Sequence, residues 1–331
     1  MKKKIFLCVI FIVSALLFLS CSNKKDFKTD KIRLGVFKGE TSALIFIAED
    51  KGYFKQSGLD AELILYDSGA KATKEMLEGK SDVATAAEFV IVSHSFTNPQ
   101  LKILCSINKV KANEIIADSR RDIKSIADLK DKRIGLKFTS QAHYVLWEFF
   151  LLHGIDYDYS KLVDTNPEEM TTELDRNNID AVVVWDPYTI EISDHLGENS
   201  LKWQVEDGSE FLFLLSTTME NASTNKTAIN KLIAGLKNAR DFVKLNPEEA
   251  KAILSKRLGI SGQYLNSVWG KQNFDVRLDQ SMLPVMEKEA SWMIRNDMTS
   301  EKTIPDFLRM IYFEPMISVL PENISIIRID K

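Results

Sequence analysis

Cysteine is scarce, with three in 331 residues and no CxxC pair. That excludes a disulfide scaffold and a cysteine-built zinc site. The 8 prolines and 14 glycines are too few for a collagen-like or low-complexity chain. Positive charge has no surplus either, with 43 Lys+Arg against 47 Asp+Glu. No basic stripe interleaved with aromatic residues occurs, which argues against a nucleic-acid partner. The enzyme signatures GxSxG, HExxH, GxGxxG and the P-loop are missing. The longest apolar run, 5–19, is too short for a comfortable membrane span. What is there is a globular composition, 45% hydrophobic and 27% charged, on a chain long enough for two domains with their own cores.

The apolar run reads as a leader. Lys2, Lys3 and Lys4 precede it and polar Ser22, Asn23, Lys24 and Lys25 follow, the layout of a secretory signal over 1–20. Its end, Phe18-Leu19-Ser20-Cys21, resembles a bacterial lipobox, where cleavage leaves an acylated cysteine as the new N-terminus, here Cys21. Several acyl chains hold a protein at a membrane far more firmly than one. The other reading is a plain signal peptide that happens to contain a cysteine. On the lipobox reading, 21–30 is a tether, Cys8 is discarded with the leader and Cys105 is the one thiol left.

From 31 onward strand and helix patterns alternate. Ile32, Leu34 and Val36 alternate with Arg33, Gly35 and Phe37 for a strand, and the apolar stretch 43–49 reads as a buried helix ending at Gly52. Strands are expected at 61–66, 82–86 and 102–107, with helices at 70–78 and 89–95. A second set begins after 114–117. It has a helical turn at 126–129, strands at 133–137, 161–163 and 181–185, and helices at 141–152 and 167–175, the latter with Pro167 in its first turn. After a strand at 211–215 the chain reads as nearly all helix, at 227–245, 247–258, 263–271, 280–296 and 305–310. Strand-loop-helix units repeated this way predict an α/β fold with mostly parallel sheets wrapped by helices and a helical C-terminal region. No internal sequence repeat stands out.

Along the same stretch lie Ala48-Glu49-Asp50-Lys51-Gly52-Tyr53-Phe54, Gly58-Leu59-Asp60-Ala61-Glu62, Asp67-Ser68-Gly69-Ala70 and Asp82-Val83-Ala84. Ile126-Ala127-Asp128-Leu129-Lys130-Asp131-Lys132-Arg133-Ile134-Gly135, Ser140-Gln141-Ala142-His143-Tyr144 and Ile179-Asp180-Ala181-Val182-Val183-Val184-Trp185-Asp186-Pro187-Tyr188 follow. In this order they resemble motifs of the periplasmic substrate-binding proteins of ABC importers, in the group that takes aliphatic sulfonates, taurine, nitrate and thiamine-precursor pyrimidines. The resemblance covers most of 32–188. It implies a two-lobed periplasmic-binding-protein fold of the second type, with lobe one at 31–115 and 212–331 and lobe two at 116–211, closing over a small solute. It also implies ABC permease subunits as partners, a monomer at the outer face of a cell membrane, and no catalysis, cofactor or metal.

Ligands of open α/β sheets bind beyond the carboxyl ends of strands, where loops lead into helix N-termini. The candidate site is therefore Lys38-Gly39-Glu40-Thr41, Ser68-Gly69, Ala87-Glu88, Phe138-Thr139-Ser140-Gln141 with His143, and Trp185-Asp186 with Tyr188. Thr139 or Ser140 caps the helix from 141. The free amides of its first turn suit a sulfonate, carboxylate or nitrate, or else the cap serves the helix alone. The family has Gly where this chain has Thr139, whose side chain narrows the way to those amides.

Glu40, Glu88 and Asp186 follow strands of both lobes. Facing one cleft, they would repel a bare anion and pair an ammonium, an amidine or an aminopyrimidine, or the amine of a zwitterion such as an aminosulfonate. Each reads equally well as a solvated acid, and Glu88 and Asp186 also as helix caps. Trp185 and Tyr188 make an aromatic wall, or Trp185 finishes the core strand. Lys38 adds charge at the first loop or is merely exposed. His143, in a first helical turn, is kept neutral by desolvation and the helix dipole, as a donor to solute or as packing. His94, His153 and His195 have no partner at ligand spacing, so no metal site is expected. Two further readings stand beside the receptor. Yeast-type thiamine-pyrimidine synthases resemble the fold but rely on iron and a Cys-rich stretch, of which only Cys105 has a counterpart. The lobes also suit a sensor for a separate membrane receptor.

Overall fold

Period-two alternation puts Ile32, Leu34 and Val36 of β1 (Asp30–Phe37) in the core, each at most 1% exposed. The computed structural model to which this strand belongs describes residues 29–138, 140–206 and 210–327. After β1 come a 3-10 turn (Glu40–Ser42), α1 (Ala43–Asp50), α2 (Tyr53–Gln56), β2 (Leu59–Tyr66), α3 (Gly69–Leu77), β3 (Val83–Ala87), α4 (Glu88–Ser95) and β4 (Leu101–Val110). The second set is β5 (Glu114–Asp118), β6 (Ile134–Leu136), α5 (Gln141–Leu152), β7 (Leu162–Asp164), α6 (Met170–Asp175), β8 (Ala181–Val184), α7 (Tyr188–Leu196) and β9 (Ser200–Gln204). The chain then returns through β10 (Phe211–Thr218), α8 (Met219–Thr224), α9 (Lys226–Leu245), α10 (Pro247–Leu258), α11 (Gly262–Trp269), β11 (Gln272–Arg277), α12 (Met282–Arg295), α13 (Phe307–Met310) and α14 (Glu314–Val319).

Two sheets result, ordered β2-β1-β3-β10-β4-β11 and β7-β6-β8-β5-β9, the cores of a two-lobed α/β protein. Parallel pairing joins β2, β1 and β3 in one and β7, β6 and β8 in the other. β10 runs antiparallel between β3 and β4, and β5 antiparallel between β8 and β9, so both sheets are mixed. The reason is the crossover. β5 and β10 are the first strands after the chain changes sheet, between Val110 and Glu114 and again between Gln204 and Phe211. Each starts at the end where its neighbouring parallel strands finish, and must run back against them.

Helix α1 is fully covered from Ala43 to Ala48, where helices of the returning chain pack on it, and only its last two residues, Glu49 and Asp50, reach solvent. α9 packs on it and buries Ile229, Leu232, Ile233 and Leu236. Helices α5 and α10 have the bounds that apolar spacing, Pro247 and Gly259 mark, Gly259 taking the left-handed φ of 71° that ends α10. The stretch expected to be helical after 215 also contains β11, an edge strand antiparallel to β4. Only Phe274 and Val276 point inward from it, too short an alternation to stand out. β9 and α7 were likewise not anticipated. No helix among the described residues is long and apolar enough to cross a membrane.

Candidate functional site

The carboxyl ends of β1, β2 and β3 present one side of the cleft. After β1, Lys38 is exposed and ties the loop down by donating its amide to the Tyr66 carbonyl. Gly39 lies under the Phe37 ring, which a Cβ there would push aside. Glu40 and Thr41 are then buried, with Thr41 Oγ1 lacking a partner. After β2, Ser68 Oγ caps α3 by accepting from the Lys71 amide at 3.2 Å. Gly69 lets that helix sit on β3, where a Cβ would come within 2.8 Å of Ala86 Cα. β3 ends at half-buried Ala87, and Glu88 opens α4 fully buried.

Lobe two supplies the facing side. Phe138 stacks on His143 at 4.9 Å, and His143 Nδ1 lies 3.2 Å from the Phe138 carbonyl. Desolvation lowers the His143 pKa, so the ring is neutral and its Nδ1–H donates. Ser140 occupies the N-cap position of α5 yet spends its hydroxyl on the Lys137 carbonyl at 2.7 Å, leaving the first turn without a side-chain cap. Gln141 is buried and donates Nε2 to Glu289 Oε1 at 3.1 Å. Beyond β8, Asp186 is buried and accepts from the Thr189 hydroxyl, and half-buried Trp185 meets Tyr188 edge-on at 6.5 Å. Thr139 and Cys21 lie outside the described residues.

Between the lobes runs a cleft of about 460 Å³, lined by Asp186, Thr189 and Lys202 on one side and Ser261, Tyr264 and Lys271 on the other. Ser261 caps α11, which carries Tyr264 into the cleft opposite Glu40. Burial pushes the Glu40 carboxyl up to about 7, and the charge of Asp186 adds to it, while its own backbone amide, Tyr264 and Lys271 oppose. Burial likewise pushes Asp186 up to about 6, against the pull of Lys271. Lys271 itself is taken by Glu114 at 2.5 Å. Among the described residues no basic side chain lies within 4 Å of either acid.

A second acidic group adjoins α4. Glu88 is pushed up to about 8 by burial and by the charge of Glu206, with only backbone amides opposing. Glu289 of α12 is raised by burial and by Glu88. Glu206 is raised by burial although Asn113 and Gln204 donate to it. Trp292, one turn beyond Glu289, contacts His143 at 4.9 Å and Tyr144 at 5.6 Å, so the lobes are closed on each other here. Tyr264, Lys271, Glu206, Glu289 and Trp292 escaped the sequence reading. The available signal for Glu289 was a lone acid in the apolar stripe of Met282, Met286 and Met293.

His195 does meet a carboxylate, Asp175, at 2.9 Å, but on the surface and as a single pair. Among the described residues no three His, Cys, Asp or Glu side chains gather as a metal site.

Known proteins resemble this chain along most of its length. A Brucella abortus protein named as a binding protein is 25% identical over 230 residues, 66% of this chain and 68% of the relative. A Haemophilus influenzae protein named for thiamine biosynthesis is 22% identical over 229 residues, 66% of this chain and 70% of its own. The crystal structure of the periplasmic aliphatic sulphonate binding protein from Escherichia coli superposes with a TM-score of 0.71 at 16% identity, covering 87% of this chain and 99% of that one. It shares the periplasmic-binding-protein fold. Residues 40–250 match the family described as NMT1/THI5 like, and the chain belongs to that family.

Proposed function

We propose that this protein is the solute-binding component of an ABC importer, exported and anchored through a lipid on Cys21, and that its solute carries an amino or amidine group. Binding is its whole task, without catalysis. The observation that carries the reading is two buried acids, Asp186 in the interlobe cleft and Glu40 beside Tyr264 at its wall, neither of them in an ion pair among the described residues, the nearby Lys271 being taken by Glu114. A bare sulfonate or nitrate gains nothing from them, whereas an aminopyrimidine, an aminosulfonate or a polyamine donates to both. The relative named for thiamine biosynthesis favours the aminopyrimidine among these. Solute bridging the lobes stabilises the closed population, which presents both lobe surfaces to the permease.

A thermal-shift screen tests this, using the soluble form that starts after Cys21 with taurine, alkanesulfonates, nitrate, bicarbonate, aminopyrimidines and polyamines. A ligand of the native state raises the melting temperature as its concentration passes its Kd. Stabilisation by an amine-bearing solute is expected. Stabilisation by nitrate or alkanesulfonate alone would sink the solute class, and silence across the panel would sink the receptor.

A further inference from the structure

We infer that Glu88, Glu289 and Gln141 form a receptor for the positive end of an organic cation, an ammonium or amidinium whose flat or apolar body rests on Phe89, Tyr144 and Trp292. This rests on the solute-receptor reading and specifies its ligand. The acids come from two helices of lobe one, α4 and α12, and the amide from α5 of lobe two. Glu88 and Glu289 are fully covered. No side chain donates to either Glu88 oxygen, and its backbone neighbours Glu88 and Leu212 are the groups that favour its charge. Glu289 Oε1 accepts from Gln141 Nε2, but Glu289 Oε2 and Gln141 Oε1 have no partner. Among the described residues, then, one amide N–H and the backbone are all that faces these buried acceptors, and no cationic side chain joins them.

The groups packed around this spot do not neutralise it. Lys288, next along α12, is taken by Glu148. His143 on α5 is neutral and donates to the Phe138 carbonyl. Glu206 adds negative charge from the crossover segment. A buried acceptor without a donor costs about 1–3 kcal/mol, and more when charged. The raised acids hold protons in the empty protein, each satisfying one acceptor, and a cation takes the place of those protons. An ammonium with three N–H groups, or an amidinium with four, supplies donors and charge together.

Metal is the poorer occupant, since two carboxylates and an amide are the ligands on offer and the surroundings are aromatic. Phe89 and Trp292 rings lie 6.0 Å apart, and Tyr144 meets Trp292 edge-on at 5.6 Å. Such faces favour a cation bound to a planar body. Because Gln141 and Tyr144 belong to lobe two, the receptor is complete only when the lobes are closed, so cation capture and closure are one event.

The test is calorimetric titration of the full chain in detergent with two charge-matched pairs, benzamidine against benzamide and benzylammonium against benzyl alcohol, for the wild type, Glu289→Gln and Glu88→Gln. At about pH 7.5 the wild type is expected to prefer each cation over its neutral partner by about tenfold or more, and each variant to lose most of that preference. Without ligand, Glu289→Gln is expected to melt no lower than the wild type, because it replaces a buried acid by a neutral group of the same shape and keeps an acceptor for Gln141. Equal binding of charged and neutral partners, or a preference that survives in both variants, overturns the inference. If solutes of the first screen bind while these pairs show no charge preference, the receptor reading stands and the cation site falls. If nothing binds in either set, both fall.

Discussion

Arg33 and Arg133 make the same set of hydrogen bonds in the two lobes. Arg33 donates its amide and Nε to Asp82 Oδ2 at 2.8 and 3.3 Å, Nη2 to Asp82 Oδ1 at 2.7 Å, and Nη1 to the Lys80 carbonyl. Arg133 repeats this on Asp180 at 2.9, 3.1 and 2.7 Å, with Nη1 on the Asn177 carbonyl. Each bond set braces one strand, β1 at Arg33 and β6 just ahead of Ile134, against the turn leading into its parallel neighbour, β3 or β8. Both strands also place a glycine two residues on, Gly35 or Gly135. The lobes are thus built on one local plan that no stretch of matching sequence announces. Counting six residues on from each bracing aspartate arrives at Glu88 and at Asp186, the acids that open the two halves of the cleft.

Asp82→Asn and Asp180→Asn are each expected to lower stability by about 1–2 kcal/mol, since a forked, charge-assisted set is weakened but stays half exposed on its arginine side. The two losses should add, the sites being in different sheets. Urea unfolding of the single and double variants reads this out, and a loss confined to one of the two would contradict the shared plan.

Much of this arrangement was legible because it is local. Glu40, Glu88 and Asp186 stand at strand-to-helix turns that period-two runs and glycines mark out, and α5 starts at Gln141 as its apolar face predicts. Tyr264, Glu289 and Trp292 were not legible in the same way. They reach the cleft from C-terminal helices whose packing onto the first lobe is a tertiary matter, and Trp292 on an apolar stripe looks like any core residue. The antiparallel insertion of β5 and β10 was hidden for a related reason: strand direction depends on where the crossover delivers the chain.

Acid should stabilise the empty protein. Glu40 titrates at about 7 in the folded chain, above the ordinary glutamate range near 4.5. The folded state therefore holds a proton that the unfolded state has released, and stability falls as pH rises through the window from about 4.5 to about 7. At about 1.4 kcal/mol for each tenfold change, this one carboxyl accounts for about 3 kcal/mol. Asp186, up to about 6, and Glu88, up to about 8, act with the same sign. In Glu40→Gln the melting temperature should be higher at neutral pH and its slope between about pH 5 and 7.5 shallower than in the wild type. An unchanged slope would show that Glu40 is ionised throughout.

Solute binding should release protons if the solute is cationic. Carboxyls that are partly protonated near pH 7 must ionise to pair a positive charge, so the heat of binding is expected to differ between phosphate and Tris buffers in the sense of proton release. An anionic solute would draw protons in instead. Asp186→Ala should weaken binding by about tenfold and reduce this release, with the circular dichroism spectrum unchanged. Full affinity in that variant would remove Asp186 from the site.

Trp292 is the aromatic contact of α12 with lobe two, beside the polar contacts of Lys288 and Glu289, touching His143, Tyr144 and Trp147 at 4.9, 5.6 and 6.3 Å between ring centres. Its Nε1 has no partner, so its contribution there is ring area, not a hydrogen bond. Trp292→Ala would open a cavity and lower stability by about 3–5 kcal/mol, confusing closure with folding. Trp292→Phe keeps a ring in place while shortening its reach to α5. Its expected result is a stability within about 1.5 kcal/mol of the wild type, a solute affinity several-fold weaker, and a larger radius of gyration in X-ray scattering at a solute concentration that closes the wild type. Weaker binding with no change in radius would place Trp292 against the solute alone. Weaker binding together with an open form would show that the same ring holds the lobes together.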